Sequence, residues 1–205
     1  MPTASASRIR LCASAALLAV LALSGCAERD LWPVERLDPK TAVNVTIMVD
    51  PWVYGHDVPM LAANARDYLN VGVVETNRAG TRAYWLGVVA WSTIDRSALP
   101  VPVAPVRPGT VKLSWPEQTL ELKPAAAGRE TIGASEAIFP GPQPVHEDAW
   151  YELNATQLSR LAKSPPVTVS LVLEDGTVIV HQPWHVDQRA MDQFLEATGF
   201  TPVGP

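Results

Sequence analysis

The stretch VGVVETNRAGTRAYWLGVVAWSTID, residues 71–95, decides the fold class of this chain. Two apolar runs flank polar residues 77–80, and this arrangement predicts a β-hairpin with its turn at those positions. In the second arm Trp85, Val89 and Trp91 share one face, while the residues on the other face are apolar as well. Apolar residues on both faces indicate a strand covered on both sides. We therefore expect this arm to lie at the centre of the core, with both tryptophans buried.

Alternating segments on either side of the hairpin predict more antiparallel strands. Residues 43–50 alternate with period two, which indicates a half-buried strand. Residues 110–123 predict a second hairpin with one solvated face, and residues 167–180 predict a third that turns at residues 174–176. A short strand is expected over residues 150–153. These segments favour a mainly antiparallel sheet.

Three segments carry helix signals. Asn154 with Gln157 three residues later forms a capping-box pattern, which predicts a helix over the following nine residues. Asp187 similarly predicts a final helix that stops at Gly199. Residues 57–69 begin with an aspartate and carry an apolar stripe, so a short helix is expected there too.

These elements predict one domain of mainly β structure, bordering on α+β. No repeat of fixed period occurs in the sequence. We expect an antiparallel β-sandwich-like domain with two or three short helices. Residues 97–109 hold four prolines and predict an extended crossover. Residues 124–149 form a long loop rich in Ala, Gly and Pro, a kind that is usually functional or disordered.

The first 25 residues have the organisation of a bacterial export signal. Arg8 and Arg10 precede an uncharged apolar run of 13 residues, too short for a transmembrane helix of about 20. The segment ends in Leu-Ser-Gly-Cys at residues 23–26, which resembles the lipobox of bacterial lipoproteins. The resemblance implies that the Cys26 thiol receives diacylglycerol and that cleavage makes this residue the mature N-terminus. The alternative is an ordinary cleaved signal followed by an incidental cysteine.

The lipobox interpretation divides the chain into a signal peptide at 1–25, a lipidated cysteine with a tether at 26–41, and a single β-rich periplasmic domain at 42–205. Several acyl chains give stable membrane anchoring. The resemblance implies a lipid-anchored protein of the cell envelope that faces the periplasm, and Ala27 after the cysteine favours the outer membrane. The tether carries three large apolar residues, Leu31, Trp32 and Val34, so docking of this segment on the domain is the alternative.

Composition excludes several functions. The mature chain carries a net charge of −7 and no basic run, so neither nucleic acid nor an anionic membrane surface is an expected partner. Cys12 lies in the signal, so lipidation of Cys26 leaves no cysteine for a disulfide, a nucleophile or a metal site. The chain has no G-x-S-x-G elbow and no phosphate-binding glycine loop. We expect no catalytic residue and no cofactor.

The histidines do not predict a metal site. His181 and His185 are four residues apart, but Pro183 lies between them at the end of a predicted strand, so their rings should be well separated. His146 belongs to the long loop together with Glu147 and Asp148, where a solvated cluster is expected.

The candidate binding residues are Trp52, Tyr54, His56 and Asp57, which form a compact polar and aromatic turn. The alternative is a capped turn with packed aromatic rings. Other tryptophans, including Trp115, share faces with aliphatic residues and are expected in the core.

Three functions are compatible with these sequence features. The first is a non-enzymatic envelope lipoprotein that docks on another envelope protein, which fits the anchor, the tether and the long loops. The second is a binder of glycan or peptidoglycan fragments that uses Trp52 and its neighbours. The third is a periplasmic hydrolase whose Ser, His and Asp residues meet only in the folded chain.

Overall fold

The computed structural model describes residues 30–94, 107–125, 128–139 and 146–203. The strands of this part of the chain are β1 (Val34–Leu37), β2 (Asn44–Ile47), β3 (Trp52–Asp57), β4 (Arg66–Arg78), β5 (Thr81–Ser92), β6 (Thr110–Trp115), β7 (Gln118–Leu122), β8 (His146–Leu153), β9 (Thr168–Val172) and β10 (Val178–His185). The helices are α1 (Ala155–Lys163), α2 (Gln188–Thr198) and a 3-10 helix at Arg129–Ile132. No helix in these ranges is long and apolar enough to cross a membrane.

The central hairpin is confirmed. Strands β4 and β5 pair along their whole length, from Asp67 opposite Ser92 to Arg78 opposite Thr81. The connecting residues Ala79 and Gly80 both have positive φ, 49° and 90°. Two positive φ values give the type I′ turn, whose twist matches that of the paired strands.

All strand pairs are antiparallel, and they form one curled sheet of ten strands. Strand β5 lies between β4 and β8. The other edge of β4 pairs with β3 along its first half and with β2 along its second half. Strand β1 pairs with β2. Strand β10 connects the two parts of the sheet, because its first half pairs with β9 and its second half with β3. Strands β6 and β7 complete the second part. The prediction of a mainly β, antiparallel sandwich-like fold with short helices is confirmed.

The main core lies between the two parts of the sheet. The inward side chains of β4, β5 and β8 share one cluster with those of β6 and β9, and α1 and α2 add to it. Representative buried members are Val71, Leu86, Tyr151, Leu113, Leu171, Leu158 and Phe194.

Both helices begin at the predicted caps: Asn154 and Gln157 form a reciprocal capping box, and Asp187 accepts from the Arg189 amide.

A second apolar cluster covers the outer face of β4 and β5. Residues 132–139 of the long loop contribute four of its members, including Phe139. Gly72 and Gly87 lie opposite one another in the β4–β5 pair. A Cβ atom added to either glycine would come within 2.9 Å of the Phe139 ring. The two glycines therefore form the depression that seats Phe139, and part of the long loop is an ordered cover for the sheet.

A buried carboxylate fastens this cover to the start of the domain. Asp38 is 2% exposed and accepts hydrogen bonds from the amide and hydroxyl of Ser135 and from the amides of Lys40 and Thr41. Burial opposes ionisation of Asp38, but these hydrogen bonds outweigh it and hold its pKa far below the usual range. Arg36 adds a hydrogen bond to the carbonyl of Ala137.

The prediction of a tether over residues 26–41 is therefore wrong for its second half. Strand β1 pairs with β2, and Leu31 is 2% exposed in the main core. Of the three apolar residues that were the alternative candidates for docking on the domain, Leu31 is buried, whereas Trp32 and Val34 are each half exposed. Backbone hydrogen bonds to β2 and the Asp38 contacts hold this segment on the domain. Cys26 and the predicted signal peptide at 1–25 lie outside the described residues.

The predicted helix over residues 57–69 is also wrong. Strand β3 ends at Asp57, residues 59–61 form a turn, and β4 starts at Arg66. Leu69 belongs to the main core, while its neighbour Tyr68 packs against Trp91 on the opposite face. The apolar spacing of this segment also fits a helix. Pairing of β4 with strands on both edges makes it extended, so that its side chains alternate between the two faces of the sheet.

The remaining strand and loop predictions have mixed outcomes. The hairpins β6–β7 and β9–β10 are confirmed, and Val111, Leu113 and Trp115 are buried as expected. The strand predicted at residues 150–153 begins earlier than expected, because residues 146–148 pair with β5 in β8 and do not belong to a loop. The predicted crossover at 97–109 lies almost entirely outside the described residues.

Candidate functional site

A cleft of about 430 Å³ opens where β3, β4 and β10 meet. Its lining combines an indole, an imidazole, a carboxylate, a guanidinium and an amide, contributed by Trp184, His56, Asp57, Arg66 and Gln182. Small, well-formed clefts with a few convergent polar groups are typical of ligand sites. We take it as the candidate functional site.

A β-bulge directs Trp184 to this cleft. Pro183 lies opposite Tyr54 and His185 lies opposite the adjacent Val53, so Trp184 is the extra residue of β10. Proline has no amide hydrogen to donate to the sheet, and bulges re-aim side chains. The Trp184 side chain is 60% exposed as a result.

Arg66 connects both sides of the cleft. Its guanidinium lies 4.3 Å from the centre of the Trp184 ring, and its Nε donates to the Asp57 carboxylate at 2.6 Å. Nη1 donates to the Tyr68 hydroxyl at 3.4 Å. Hydrogen bonds with Tyr68 and Asp57 raise the pKa of Arg66. Gly55 allows this arrangement, because a Cβ there would lie 3.1 Å from Arg66 Cδ.

Three aromatic residues, Tyr68, Trp91 and Trp184, form what we call the aromatic shelf. Tyr68 stacks on Trp91 with ring centres 4.4 Å apart and meets Trp184 edge-on at 5.7 Å. Tyr68 itself is buried, and the Trp91 indole donates to the Asn70 side chain. Contacts of this geometry are favourable between aromatic rings. The exposed Trp184 ring is therefore held in a fixed position.

His56 lines the cleft and packs against a second histidine, His181, which is not one of the lining residues. His56 Nδ1 lies 3.0 Å from the carbonyl oxygen of Val180, and its ring centre is 5.5 Å from that of His181. His181 is 2% exposed. Burial, with a smaller contribution from His56, lowers the pKa of His181 to about 4. His181 is therefore neutral at pH 7 and adds no charge to the cleft.

The predicted binding residues divide between the two ends of β3. His56 and Asp57 line the cleft, but Trp52 and Tyr54 are buried in the main core, 1% and 0% exposed. The Trp52 indole donates to the carbonyl of Asp187, and the Tyr54 hydroxyl donates to that of Pro166. The expectation that all four would form one accessible turn is wrong. These residues belong to strand β3, and the side chains of Trp52 and Tyr54 point into the core.

The expected burial of Trp85 and Trp91 is wrong as well. Both are only partly buried on the outer face of β5, and Val89 between them is 1% exposed. The cover formed by the long loop packs over the middle of this face. Trp91 is instead part of the aromatic shelf.

Sequence reasoning missed Arg66, Tyr68 and Trp184 as site residues. The first two belonged to the segment interpreted as a helix. Pro183, just after the predicted strand, was a usable signal, since a proline within a strand marks an edge or a bulge. The residue that follows such a proline is a candidate for an outward position.

The other polar clusters are separate from the cleft. His185 contacts the Asp50 carboxylate at 3.1 Å, Glu147 pairs with Arg107, and Asp148 accepts from the Trp150 indole. Within the described ranges no group of three or more His, Cys, Asp or Glu side chains could hold a metal ion.

No known protein family, curated protein or solved structure matches this chain. The chemistry of the cleft itself is therefore the guide to function. Its described lining contains one carboxylate and no Ser, Thr or Cys side chain. Glycoside hydrolysis ordinarily requires two carboxylates, and acyl transfer requires a nucleophile. The described lining therefore contains neither the usual carboxylate pair of a glycoside hydrolase nor a hydroxyl or thiol nucleophile.

Proposed function

We propose that this chain is a lipid-anchored protein of the bacterial envelope that binds a glycan in the Trp184 cleft. The observation that carries the proposal is the exposed Trp184 ring, fixed by Arg66 and Tyr68 beside hydrogen-bonding side chains. A sugar ring presents an apolar face of C–H groups and a rim of hydroxyls. The indole matches the face, while Asp57 and Gln182 offer partners for the hydroxyls.

The anchor supports the choice of ligand class. A lipobox-like sequence at residues 23–26 favours a location in the envelope, where peptidoglycan and other polysaccharides are abundant. The Asp57–Arg66 pair leaves the cleft close to neutral, so a neutral or zwitterionic sugar fits it better than a highly charged one. Peptidoglycan fragments are the probe that we consider most direct.

Removal of the Trp184 ring should weaken glycan binding. We expect Trp184→Ala to lower the affinity for soluble peptidoglycan fragments at least tenfold, a loss of at least about 1.4 kcal/mol, because tryptophan is enriched among the residues that contribute most binding energy. Titration calorimetry with purified fragments measures the change. Trp32→Ala is the matched control, since Trp32 is 50% exposed and does not line the cleft. Equal affinity of wild type and Trp184→Ala would contradict the proposal.

The anchor has its own test. Cys26→Ala should abolish incorporation of a fatty-acid analogue during metabolic labelling, because no other residue of the mature chain offers a thiol for thioether formation. Cys12→Ala is the matched control and should be labelled like the wild type. Label retained by Cys26→Ala would show that the lipoprotein assignment is wrong.

A second candidate function is docking on another envelope protein. The exposed apolar side chains of β1 favour it: Val34 is 50% exposed and Leu37 is 67% exposed. Strand β1 lies at one end of the strand order, and edge strands can accept a strand from another protein. This surface is also the part of the domain nearest in sequence to the proposed anchor.

A further inference from the structure

A second cleft, of about 310 Å³, lies between β7, α1 and the residues that follow α2. Among its described lining residues the charged side chains are Arg160 and Lys163, and no carboxylate is present. The whole chain has a net charge of −5, so a cleft lined only by basic charges departs from the rest of the molecule. Such a site attracts anions.

The position of Arg160 is fixed by its neighbour Trp115. The guanidinium lies 4.8 Å from the centre of the Trp115 ring, which is 6% exposed and donates its indole N–H to the Ser164 carbonyl. Stacking on a fixed aromatic ring orients the planar guanidinium before any ligand binds.

Arg160 also has an unused hydrogen-bond donor. Its Nε is buried and has no hydrogen-bond partner in the described part of the chain. Buried donors without an acceptor are rare, because each costs about 1–3 kcal/mol. Cations in the last turn of a helix interact favourably with its dipole, which accounts for the charges of Arg160 and Lys163. The dipole does not account for the donor without an acceptor. Because Nε itself is buried, an anion in the cleft would contact the other nitrogens of the guanidinium, whose charge has no carboxylate partner among the lining residues.

The neutral side chains of this cleft also present donors. The amide oxygen of Gln157 accepts from the Asn154 amide in the capping box, so the NH₂ group is the part left for a ligand. The Ser159 hydroxyl accepts from the Val203 amide, which leaves its hydrogen to donate. Donors from Arg160, Lys163, Gln157 and Ser159 suit a group that only accepts.

We infer that this second cleft binds an oxyanion, a carboxylate or phosphate group, with Arg160 as the main contact and Lys163 as a second charge. Arginine matches the planar, two-oxygen face of such groups, and the charge of Lys163 adds attraction. The site is separate from the Trp184 cleft and shares no lining residue with it.

The Trp115 indole provides a local readout. The full chain in detergent is titrated with inorganic phosphate and, separately, with acetate at constant ionic strength, while chloride replaces the removed anion. The Trp115 indole resonance is followed by NMR and assigned with Trp115→Phe. We expect saturable shifts with an apparent dissociation constant on the order of millimolar, the range of a small ligand with few contacts. Saturation by phosphate alone identifies a phosphate-bearing ligand, and saturation by acetate alone identifies a carboxylate-bearing one.

The double variant Arg160→Gln/Lys163→Gln should raise the apparent dissociation constant at least tenfold. The control Lys123→Gln removes an exposed charge outside the cleft and should bind like the wild type. Arg160→Lys keeps the charge but loses the planar donor pair, and we expect it to bind several-fold more weakly. A linear response to both anions, or saturation that persists in the double variant, overturns the inference.

Discussion

Trp52→Ala should lower the free energy of unfolding by about 3–5 kcal/mol, the usual cost of removing a large aromatic ring from a close-packed core. Trp52 is 1% exposed and belongs to the main cluster, and its indole N–H donates to the Asp187 carbonyl at the start of α2. The substitution leaves a cavity and removes the donor for that carbonyl. Many domains have a total stability of only about 5–15 kcal/mol, so the variant should be close to its unfolding threshold.

Trp91→Ala should cost clearly less, about 1–2 kcal/mol, because Trp91 is partly exposed and loses mainly its stacking on Tyr68 and its bond to Asn70. Urea denaturation of both variants, followed by circular dichroism, gives the comparison. Trp184→Ala is the exposed control and should change stability by no more than about 1 kcal/mol. A larger loss for Trp91→Ala than for Trp52→Ala would mean that the faces of β3 and β5 are assigned incorrectly.

Gly87→Ala should destabilise the protein by about 2–3 kcal/mol, although a methyl group is the smallest addition possible. The new Cβ would lie 2.5 Å from Trp150 Cζ3 and 2.9 Å from Phe139 Cε2, and both rings are buried. Overpacking of a filled core typically costs about 1–3 kcal/mol. Without these contacts, the lower entropy of the unfolded chain would make the same change slightly stabilising, by about 0.4–1 kcal/mol.

A double-mutant cycle with Phe139→Ala tests the cause. For Gly72→Ala the three atoms closest to the new Cβ all belong to Phe139. In a Phe139→Ala background, Gly72→Ala should therefore lose most of its destabilising effect. For Gly87→Ala the Trp150 contact remains, so the same substitution should relieve only part of it. Gly55→Ala is a control, because its nearest neighbour is the flexible Arg66 side chain. Independent effects of Gly72→Ala and Phe139→Ala on thermal unfolding would show that Phe139 does not occupy the glycine depression.

The sequence alone determined the elements whose signals are local. The turn within residues 77–80, the capping box of Asn154 and Gln157, and the helix stop at Gly199 each depend on a few neighbouring residues. Alternation of apolar and polar residues likewise identified β6 and β9, because the apolar core residues of each lie on one face. The lipobox-like sequence before Cys26 is local too and stays a prediction.

The tertiary structure decided which surface of each strand is accessible. Residues 66–69 fit a helix by their spacing, and only pairing with two neighbouring strands gives them the β conformation. The sequence indicates a polar turn around Trp52 and an apolar strand around Trp91, but in the structure Trp52 lies in the main core and Trp91 is partly exposed on the outer face of β5. The cleft brings together residues about 130 positions apart, His56 and Trp184, and no local pattern encodes contacts over that distance.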